Sequence, residues 1–514
     1  DTIVEIVNNN IKLLDTVYYD VNQQTFNLPD TSFYTLAGLS GTNITATNDS
    51  ATIFTDAVAF SDMITGGQVV PAPYWAGTPA GTRQEMPTET NIKALMFENS
   101  EGNVIHWIND PSQDNSAVGD DIIITYSFVE DSTSKVIDGY GSTNGPNQPD
   151  VWSMNDAQKV SVRESLEAWS DVADITFVEI DETASDVVGT MRFGFTTYKG
   201  SVEGVAGWAT GPGGGTGNGD VWIATTADDD GAAGRANDNR FEKGYSQDFL
   251  TLLHEIGHAL GLAHPFEGYL MEGADPVTGE GAPLDNQKYT VMSYSVDDTV
   301  WFNGPAHPNQ GYAVSTTPMK EDIAAIQWMY GAQETNEEDT VYGSDYFSPE
   351  KPFAMAIWDS GGVDTIDLSA FTEGCDLSLV SGSSSTVVCE TGGTGWTSGQ
   401  MLDNLSIAHG AIIENLIAGS GDDTIVGNTA SNTLTGGDGA DTFVFEGDFG
   451  TDTITDFIVG TDLLSFADSA GSAITSTGIT SSVDNSDLVL TVSTGNTVTL
   501  TGLGTETFDD GFLA

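Results

Sequence analysis

Basic residues are scarce in this chain: 14 lysines and arginines stand against 76 aspartates and glutamates in 514 residues, a formal net charge of −62. No basic stripe can form on such a surface, which excludes phosphate-backbone binding and with it nucleic acid as a partner. Long apolar runs are missing too. None approaches the ~20 residues needed to span a bilayer, so no stable membrane association is expected. Cysteine is down to two, Cys375 and Cys389, separated by a short Ser/Gly-rich stretch, and one disulfide in an oxidising compartment is the expectation. The chain starts at Asp1 with no apolar signal-peptide core, so any export address is expected elsewhere.

The length allows two or three domains. Charge of one sign in this excess disfavours compactness unless cations bind, and the Asp- and Gly-rich segments offer divalent ions hard oxygen ligands. Calcium is one explanation of the acidity and a saline habitat is another.

Histidine is also rare, with six in the chain, yet three fall in His254-Glu255-Ile256-Gly257-His258-Ala259-Leu260-Gly261-Leu262-Ala263-His264-Pro265. Residues 250–260 have helical periodicity, so His254 and His258 lie one turn apart on one face and can aim at one ion. Gly261 can take positive φ, end the helix and let the chain return His264 to the same ion. Glu255 is off the metal stripe, which leaves its carboxylate free to act as general base toward water on a zinc ion. Downstream stands Tyr289-Thr290-Val291-Met292-Ser293-Tyr294.

Together these residues resemble the metzincin metallopeptidases, with their H-E-x-x-H-x-x-G-x-x-H segment followed by a methionine turn. His264-Pro265 and the Ser-Tyr after Met292 are similar to the serralysin family of secreted bacterial proteases. The resemblance implies zinc on His254, His258 and His264, and an apolar floor at Met292. It also implies that Tyr294 is a weak extra ligand that swings away to stabilise the transition state. Residues 165–173 are similar to the first serralysin helix, which packs behind the sheet. Gly207, Trp208 and Ala209 correspond to the sheet edge to which substrate adds as a strand. The glycine run 211–219 lacks the lysine and following helix of a phosphate loop. Asp228, Asp229 and Asp230 read as an exposed acidic loop, with a cation site as the alternative.

Residues 1–117 alternate short apolar runs with turns such as 36–38 and 65–67 and read as β-rich. They hold no catalytic constellation, and His106 reads as structural. A pro-segment covering the cleft, a binding module and a structural brace are the three open roles. Residues 121–128 form a β-branched, aromatic strand opening a catalytic domain over 118–335. Residues 155–172 form an amphipathic helix with Val160, Val162, Leu166, Trp169 and Val172 on one face and Asn155 or Ser153 as cap. Residues 174–179 and 191–195 read as strands. A second helix runs from 317 to 330, with Pro318 at its start, Ile323, Ile326 and Met329 buried, and Gly331 ending it.

The third region, 336–514, is built on a nonapeptide. Gly436-Gly437-Asp438-Gly439-Ala440-Asp441-Thr442-Phe443-Val444 matches G-G-x-G-x-D-x-U-x, residues 418–426 approximate it, and 427–435 form a degenerate copy around Leu434. Each copy is a turn plus a short strand, and stacked copies make a parallel β-roll with calcium between turns. By resemblance to the serralysin roll, one ion is shared by Gly419, Gly421 and Asp423 with Gly436, Asp438 and Asp441. A second falls to Asn336, Glu338, Thr340, Asp359, Gly361 and Asp364, and a third to Gly362, Asp364 and Glu414. Ordinary Asx-capped hairpins are the alternative. The final residues, 509–514, resemble the acidic-then-apolar signal of type I secretion, so the roll is expected to fold after export into calcium.

The expectation is therefore an α+β metzincin domain, an all-β parallel roll/sandwich domain and a β-rich N-terminal region, in a secreted, extracellular and monomeric protein acting on protein or peptide substrates. The rival is a calcium-dependent adhesin or matrix protein with a vestigial zinc site.

Overall fold

The computed structural model describes residues 4–7, 10–13, 18–20, 25–27, 74–75, 89–98, 104–108, 122–129, 151–181, 189–196, 206–213, 217–224, 247–274, 281–295, 315–349, 353–389, 402–492 and 495–514. The turns expected at 36–38 and 65–67, the glycines at 214–216 and the acidic loop 228–230 lie outside the described residues. By their contacts the residues form two units. One comprises Asp1–Glu242, Asp248–Met271 and Ala325–Ala332, the other Lys243–Gln247, Glu272–Ala324 and Gln333–Ala514.

The first unit is organised by a mixed sheet in the order Gly207–Ala209, Val221–Ala224, Met191–Thr196, Ile122–Phe128 and Ile175–Ile180. All neighbours on this path are parallel except the first pair, and Val151–Trp152 adds antiparallel to Met191–Thr196. Every residue of Met191–Thr196 is buried, so this strand is covered on both faces as in a layered domain. Met191, Phe193 and Phe195 are fully buried, each contributing about 1.5–3 kcal/mol by leaving water.

Helix Asp156–Ser170 starts with a reciprocal capping box: Asn155 accepts from the Gln158 amide at 2.9 Å, and the Gln158 side chain accepts from the Asn155 amide at 2.9 Å. Val162, Leu166 and Trp169 are buried as expected, but Val160 is 48% exposed. Two residues apart on a helix is about 200° of rotation, so Val160 and Val162 cannot share a face. Arg163 joins the helix to the sheet through a two-point pair with Glu179 at 2.8 and 2.9 Å.

Antiparallel backbone pairs join Val4–Val7 to Asn10–Leu13, Tyr18–Asp20 to Thr25–Asn27 and Tyr74–Trp75 to Trp107–Ile108. The short helix Thr90–Ala94 lies between the two strands of the last pair, with Ala94 buried.

In the second unit, an eight-stranded sheet runs Val341–Tyr342, Thr365–Asp367, Asn415–Ile417, Thr433–Thr435, Thr451–Ile454, Thr497–Leu500, Asp487–Val492 and Ile479–Asp484. Its first six strands are parallel and the last two antiparallel. A four-stranded parallel sheet is formed by Asp376–Ser378, Thr424–Val426, Thr442–Glu446 and Leu463–Ala467. From Asn415 to Ala467 successive strands alternate between these two sheets.

The nonapeptide explains the alternation, because one period is one turn plus one strand. Leu416, Ile425, Leu434 and Phe443 stand nine residues apart and all are buried in one core. The glycines let turns stack in contact. A Cβ at Gly437, which has φ of 93°, would collide with the Gly419 carbonyl.

Two further expectations change. Helix Lys320–Tyr330 begins two residues beyond Pro318, because the Asp322 carboxylate accepts from the Met319 amide at 2.9 Å and caps the helix there. Its buried Ile323, Ile326 and Met329 stand as expected. Cys375 and Cys389 are free thiols rather than a disulfide. The Cys375 thiol is already engaged, accepting from the Val388 amide and donating to the Glu373 carbonyl, each at 3.4 Å. Burial is the main cause pushing both thiols up, to about 11 and about 12, so neither is a ready nucleophile.

Candidate metal centre

Helix Gln247–Leu260 carries His254, Glu255 and His258, and its inner face of Phe249, Leu250, Leu253, Ile256 and Leu260 is buried. Trp169 ties the helix to its neighbour by donating Nε1 to the Leu253 carbonyl at 3.2 Å. The helix ends at Gly261, whose φ is 111°. Its last carbonyls are all used: Gly257 by the Leu262 amide at 2.8 Å, His258 by the Gly261 amide at 3.0 Å, Ala259 by Trp107 Nε1 at 2.8 Å, and Leu260 by the Tyr330 hydroxyl at 2.6 Å.

The turn then delivers His264. Its Nε2 lies 3.0 Å from His258 Nε2 and 3.2 Å from His254 Nε2, and these three form the one three-residue cluster able to hold a metal among the described residues. Tetrahedral zinc with Zn–N bonds of ~2.0–2.1 Å needs nitrogens roughly 3.3 Å apart, so the donor set fits that ion.

Electrostatics agree with the geometry. His258 Nδ1 stands 2.7 Å from the Leu262 carbonyl, an oxygen that can only accept, so Nδ1 carries the proton and Nε2 presents its lone pair. Burial, followed by the neighbouring His254 and His264, pushes the His258 pKa well below its ordinary value. A neutral ring is what a metal requires. His264 is held by Phe266, stacked at 4.9 Å and 9°, and by Glu267, whose Oε2 is 3.1 Å from Nδ1.

Glu255 is 5% exposed and faces the sheet edge: a Cβ on Gly207 would stand 3.1 Å from Glu255 Cγ and 3.0 Å from Thr251 Cγ2. Strand Gly207–Ala209 pairs with Val221–Ala224 in the register Gly207 to Ile223, Trp208 to Trp222 and Ala209 to Val221, and among the described residues it is the terminal strand of its sheet. Thus the structure brings His254, His258, His264, Glu255 and Gly207 together. His106 stays outside the cluster, buried edge-on against Tyr330 at 5.9 Å.

Met292 and Tyr294 belong to the second unit. Met292 is fully buried and Tyr294 is 64% exposed. Their turn is fixed by a residue that no motif singles out: Asp322 accepts from the Thr290 hydroxyl at 2.6 Å and the Val291 amide at 2.7 Å. Burial raises the Asp322 pKa to about 7.

The acidic turns of the second unit meet in ladders. In one, Asp364 accepts from the Thr340 amide at 2.8 Å while its own amide donates to Glu414 at 2.8 Å. Beside them Asn336 donates to Tyr342, which donates to Asp359, at 2.9 and 2.7 Å. Asp359 also accepts from the Gly361 amide at 3.0 Å, and a Cβ on Gly362 would come within 2.7 Å of the Glu338 carbonyl. In the other ladder Asp423 accepts from the Cys375 amide at 2.7 Å and from Gly419 at 3.3 Å, and donates its amide to Asp441 at 2.9 Å. Gly436 packs on Asp441, Gly421 lies under Gly439, and Asp438 is exposed.

Sequence reasoning missed Asp452 and Asp462. Asp462 accepts from the Asp441 amide at 3.1 Å, and Asp452 from the Asn432 amide at 2.8 Å. Each stands two residues before an inward apolar residue, Ile454 and Leu464, as the repeat aspartate does, but without the glycine frame that marks the motif. Among the described residues, Asp364 Oδ2, Asp441 Oδ2 and Asp452 Oδ2 are buried with no hydrogen-bond partner. Burial raises Asp364 and Asp423 to about 6 and Asp441 and Asp452 to about 7. Oxygens of this kind fit hard cations.

A three-histidine helix beside the edge of a mixed sheet, followed by a repeat-built β region, defines a matrixin-type metal domain joined to a repeat domain. Residues 140–273 match the family model described as Matrixin, and residues 327–484 match Peptidase M10 serralysin C terminal. Over these two regions the chain is similar to the serralysins. Metallopeptidase AprA of Pseudomonas marginalis is 33% identical over 329 residues, 61% of each chain. Serralysin of Proteus mirabilis is 32% identical over 338 residues, 62% of each chain. Serralysin C of Dickeya chrysanthemi is 34% identical over 285 residues, 53% of this chain and 54% of that one. The chain thus spans between half and two thirds of the length of these relatives. The solved extracellular lipase LipA from Serratia marcescens aligns over 35% of this chain and 39% of its own at 16% identity, with a TM-score of 0.16 that supports no argument.

Proposed function

We propose that the protein is a secreted, calcium-stabilised zinc endopeptidase that hydrolyses peptide bonds of protein substrates. One observation supports this reading above the others: three Nε2 atoms converge within 3.0–3.2 Å along the triad, with Glu255 packed between them and a terminal strand. An adhesin with a vestigial site has no use for that arrangement.

His254, His258 and His264 would hold the zinc, and by the family resemblance Tyr294 would be a weak extra ligand and Met292 an apolar floor. Zinc supplies Lewis acidity, polarising a carbonyl and acidifying water. The substrate lies extended along Gly207, Trp208 and Ala209, its backbone pairing with the strand and its scissile bond beside Glu255. Glu255 takes the proton from the attacking water and passes it to the leaving amine. Tyr294 donates its hydroxyl to the oxyanion that develops.

In the second unit, calcium is held by the three residue sets given by the resemblance, between turns of a parallel β-roll. Export through type I machinery, with 509–514 as its signal, lets the roll close in calcium outside the cell. No helix among the described residues is long and apolar enough to cross a membrane. We read the protein as a monomer with domains at 118–335 and 336–514 and an N-terminal region at 1–117.

The test is hydrolysis of casein by the intact chain with and without 1,10-phenanthroline. Cleavage should disappear with the chelator and return when zinc is restored. Casein left intact by the zinc-loaded chain would overturn the reading.

A further inference from the structure

The turn joining the second and third ligand histidines is built against a segment far upstream. Met96 forms an antiparallel bridge with Leu262, the Ala263 amide donates to the Leu95 carbonyl at 2.9 Å, and the Phe97 amide donates to the Gly261 carbonyl at 3.3 Å. Leu95 and Met96 are buried, so this pairing is shielded from water. Ile105 presses on the same turn, and a Cβ at Gly261 would stand 2.6 Å from its carbonyl. The segment is anchored further by the Tyr269 hydroxyl, which donates to Glu98 at 2.9 Å, and by Lys93, whose ammonium lies 3.6 Å from the centre of the Tyr269 ring.

Leu262 is where this scaffold meets the metal centre. Its carbonyl accepts the Nδ1 proton of His258 at 2.7 Å and so fixes both tautomer and ring angle. The ring of Phe97 lies beside the same imidazole, 6.0 Å away centre to centre and tilted by 32°. One three-residue segment therefore sets the carbonyl that orients His258 and supplies the surface that confines it.

We propose that residues 95–97 are a positioning element for His258 and that Phe97 is its decisive side chain, a role resting on the zinc reading above. The segment is then an integral part of the metal centre rather than a removable cover. If the Leu262 carbonyl drifts or the Phe97 face is lost, His258 can rotate about its side-chain bonds and Nε2 leaves the common centre. Removing a partner that orients a ligand histidine typically weakens metal binding by 10–100-fold.

The experiment uses the full chain. Zinc affinity is measured by competition with a chromophoric chelator, and the visible spectrum of the cobalt-substituted protein reports the ligand field. Wild type is measured first: failure to take up zinc there would count against the proposed function and leave the positioning role without an object, so the two failures are distinguishable. Phe97→Ala should weaken zinc by about 10–100-fold and alter the cobalt bands, whereas Phe97→Tyr should restore both. Trp107→Phe, which loses the bond to the Ala259 carbonyl at 2.8 Å, is the control for general destabilisation and should leave affinity within about 2-fold. If Phe97→Ala does not accumulate folded, Phe97→Leu keeps bulk without the aromatic face and is read in the same way. Unchanged affinity and cobalt bands in the Phe97 variant, or an equal loss in the Trp107 variant, would overturn the proposal.

Discussion

Glu255→Gln should lower kcat by about 10²–10⁴-fold while the protein stays folded and keeps its zinc. The substitution changes almost nothing but charge and proton affinity. It preserves the size of a side chain that is 5% exposed, and it leaves His254, His258 and His264 in place. An amide cannot accept a proton from water at neutral pH, so the loss should fall on kcat rather than KM. The terminal strand Gly207–Ala209, which the reading uses for binding, is untouched. His258→Ala should behave differently and lose zinc and turnover together, because it removes a ligand. Near-normal turnover in Glu255→Gln would show that another group carries the proton, and parallel loss of zinc would show that Glu255 supports the metal.

The second large effect concerns calcium and pH. Asp364, Asp423, Asp441 and Asp452 are each at most 2% exposed, and burial raises their pKa values from 3.8 to between about 6 and about 7. A carboxyl whose folded pKa is raised binds its proton more tightly folded than unfolded. Without calcium, its contribution to stability is complete below about pH 3.8 and is lost as pH rises through 6 to 7. With chelator present, the second unit should therefore melt roughly 5–10 °C higher at pH 5 than at pH 8. Where calcium takes the place of the protons, each site saturated at a hundred times its Kd should add about 2.7 kcal/mol. The dependence should then flatten or reverse, leaving the residue due to Asp322, which is raised to about 7 by burial and lies outside the calcium sets. Thermal melts by circular dichroism across pH, with and without calcium, decide the matter. A melting point independent of calcium at pH 8 would mean that the acidic turns are ordinary hairpins.

The parts of this architecture written in local spacing were legible from residues alone. An i, i+4 pair of histidines followed by a positive-φ glycine and a third histidine leaves little freedom, and the triad converges at 3.0–3.2 Å. Strands rich in β-branched and aromatic residues, such as Ile122–Phe128, announce themselves in the same way. So does a nine-residue recurrence of buried apolar positions.

The contacts that escaped are those made across long separations. Phe97 and Leu262 around His258, or Trp107 on Ala259 across 152 residues, follow no period that a window can detect. Asp322 looked like one more acidic residue at a helix start, yet its burial and three donors make it the anchor of the turn that carries Met292. Asp452 and Asp462 were hidden because the ladder needs only a carboxylate before an inward residue, whereas the recognisable motif also needs glycines. The cysteine expectation failed for a related reason: closeness in sequence says nothing of the hydrogen bonds that already occupy the Cys375 thiol.

One zinc ion held by three imidazoles is central to the proposed function, and zinc-edge X-ray absorption on the purified intact chain, combined with metal analysis, tests it most directly. It should find one zinc per chain, three histidine nitrogens at about 2.0–2.1 Å and no sulfur. A chain that takes up no zinc, or one whose zinc is bound by sulfur or by carboxylates alone, would contradict it.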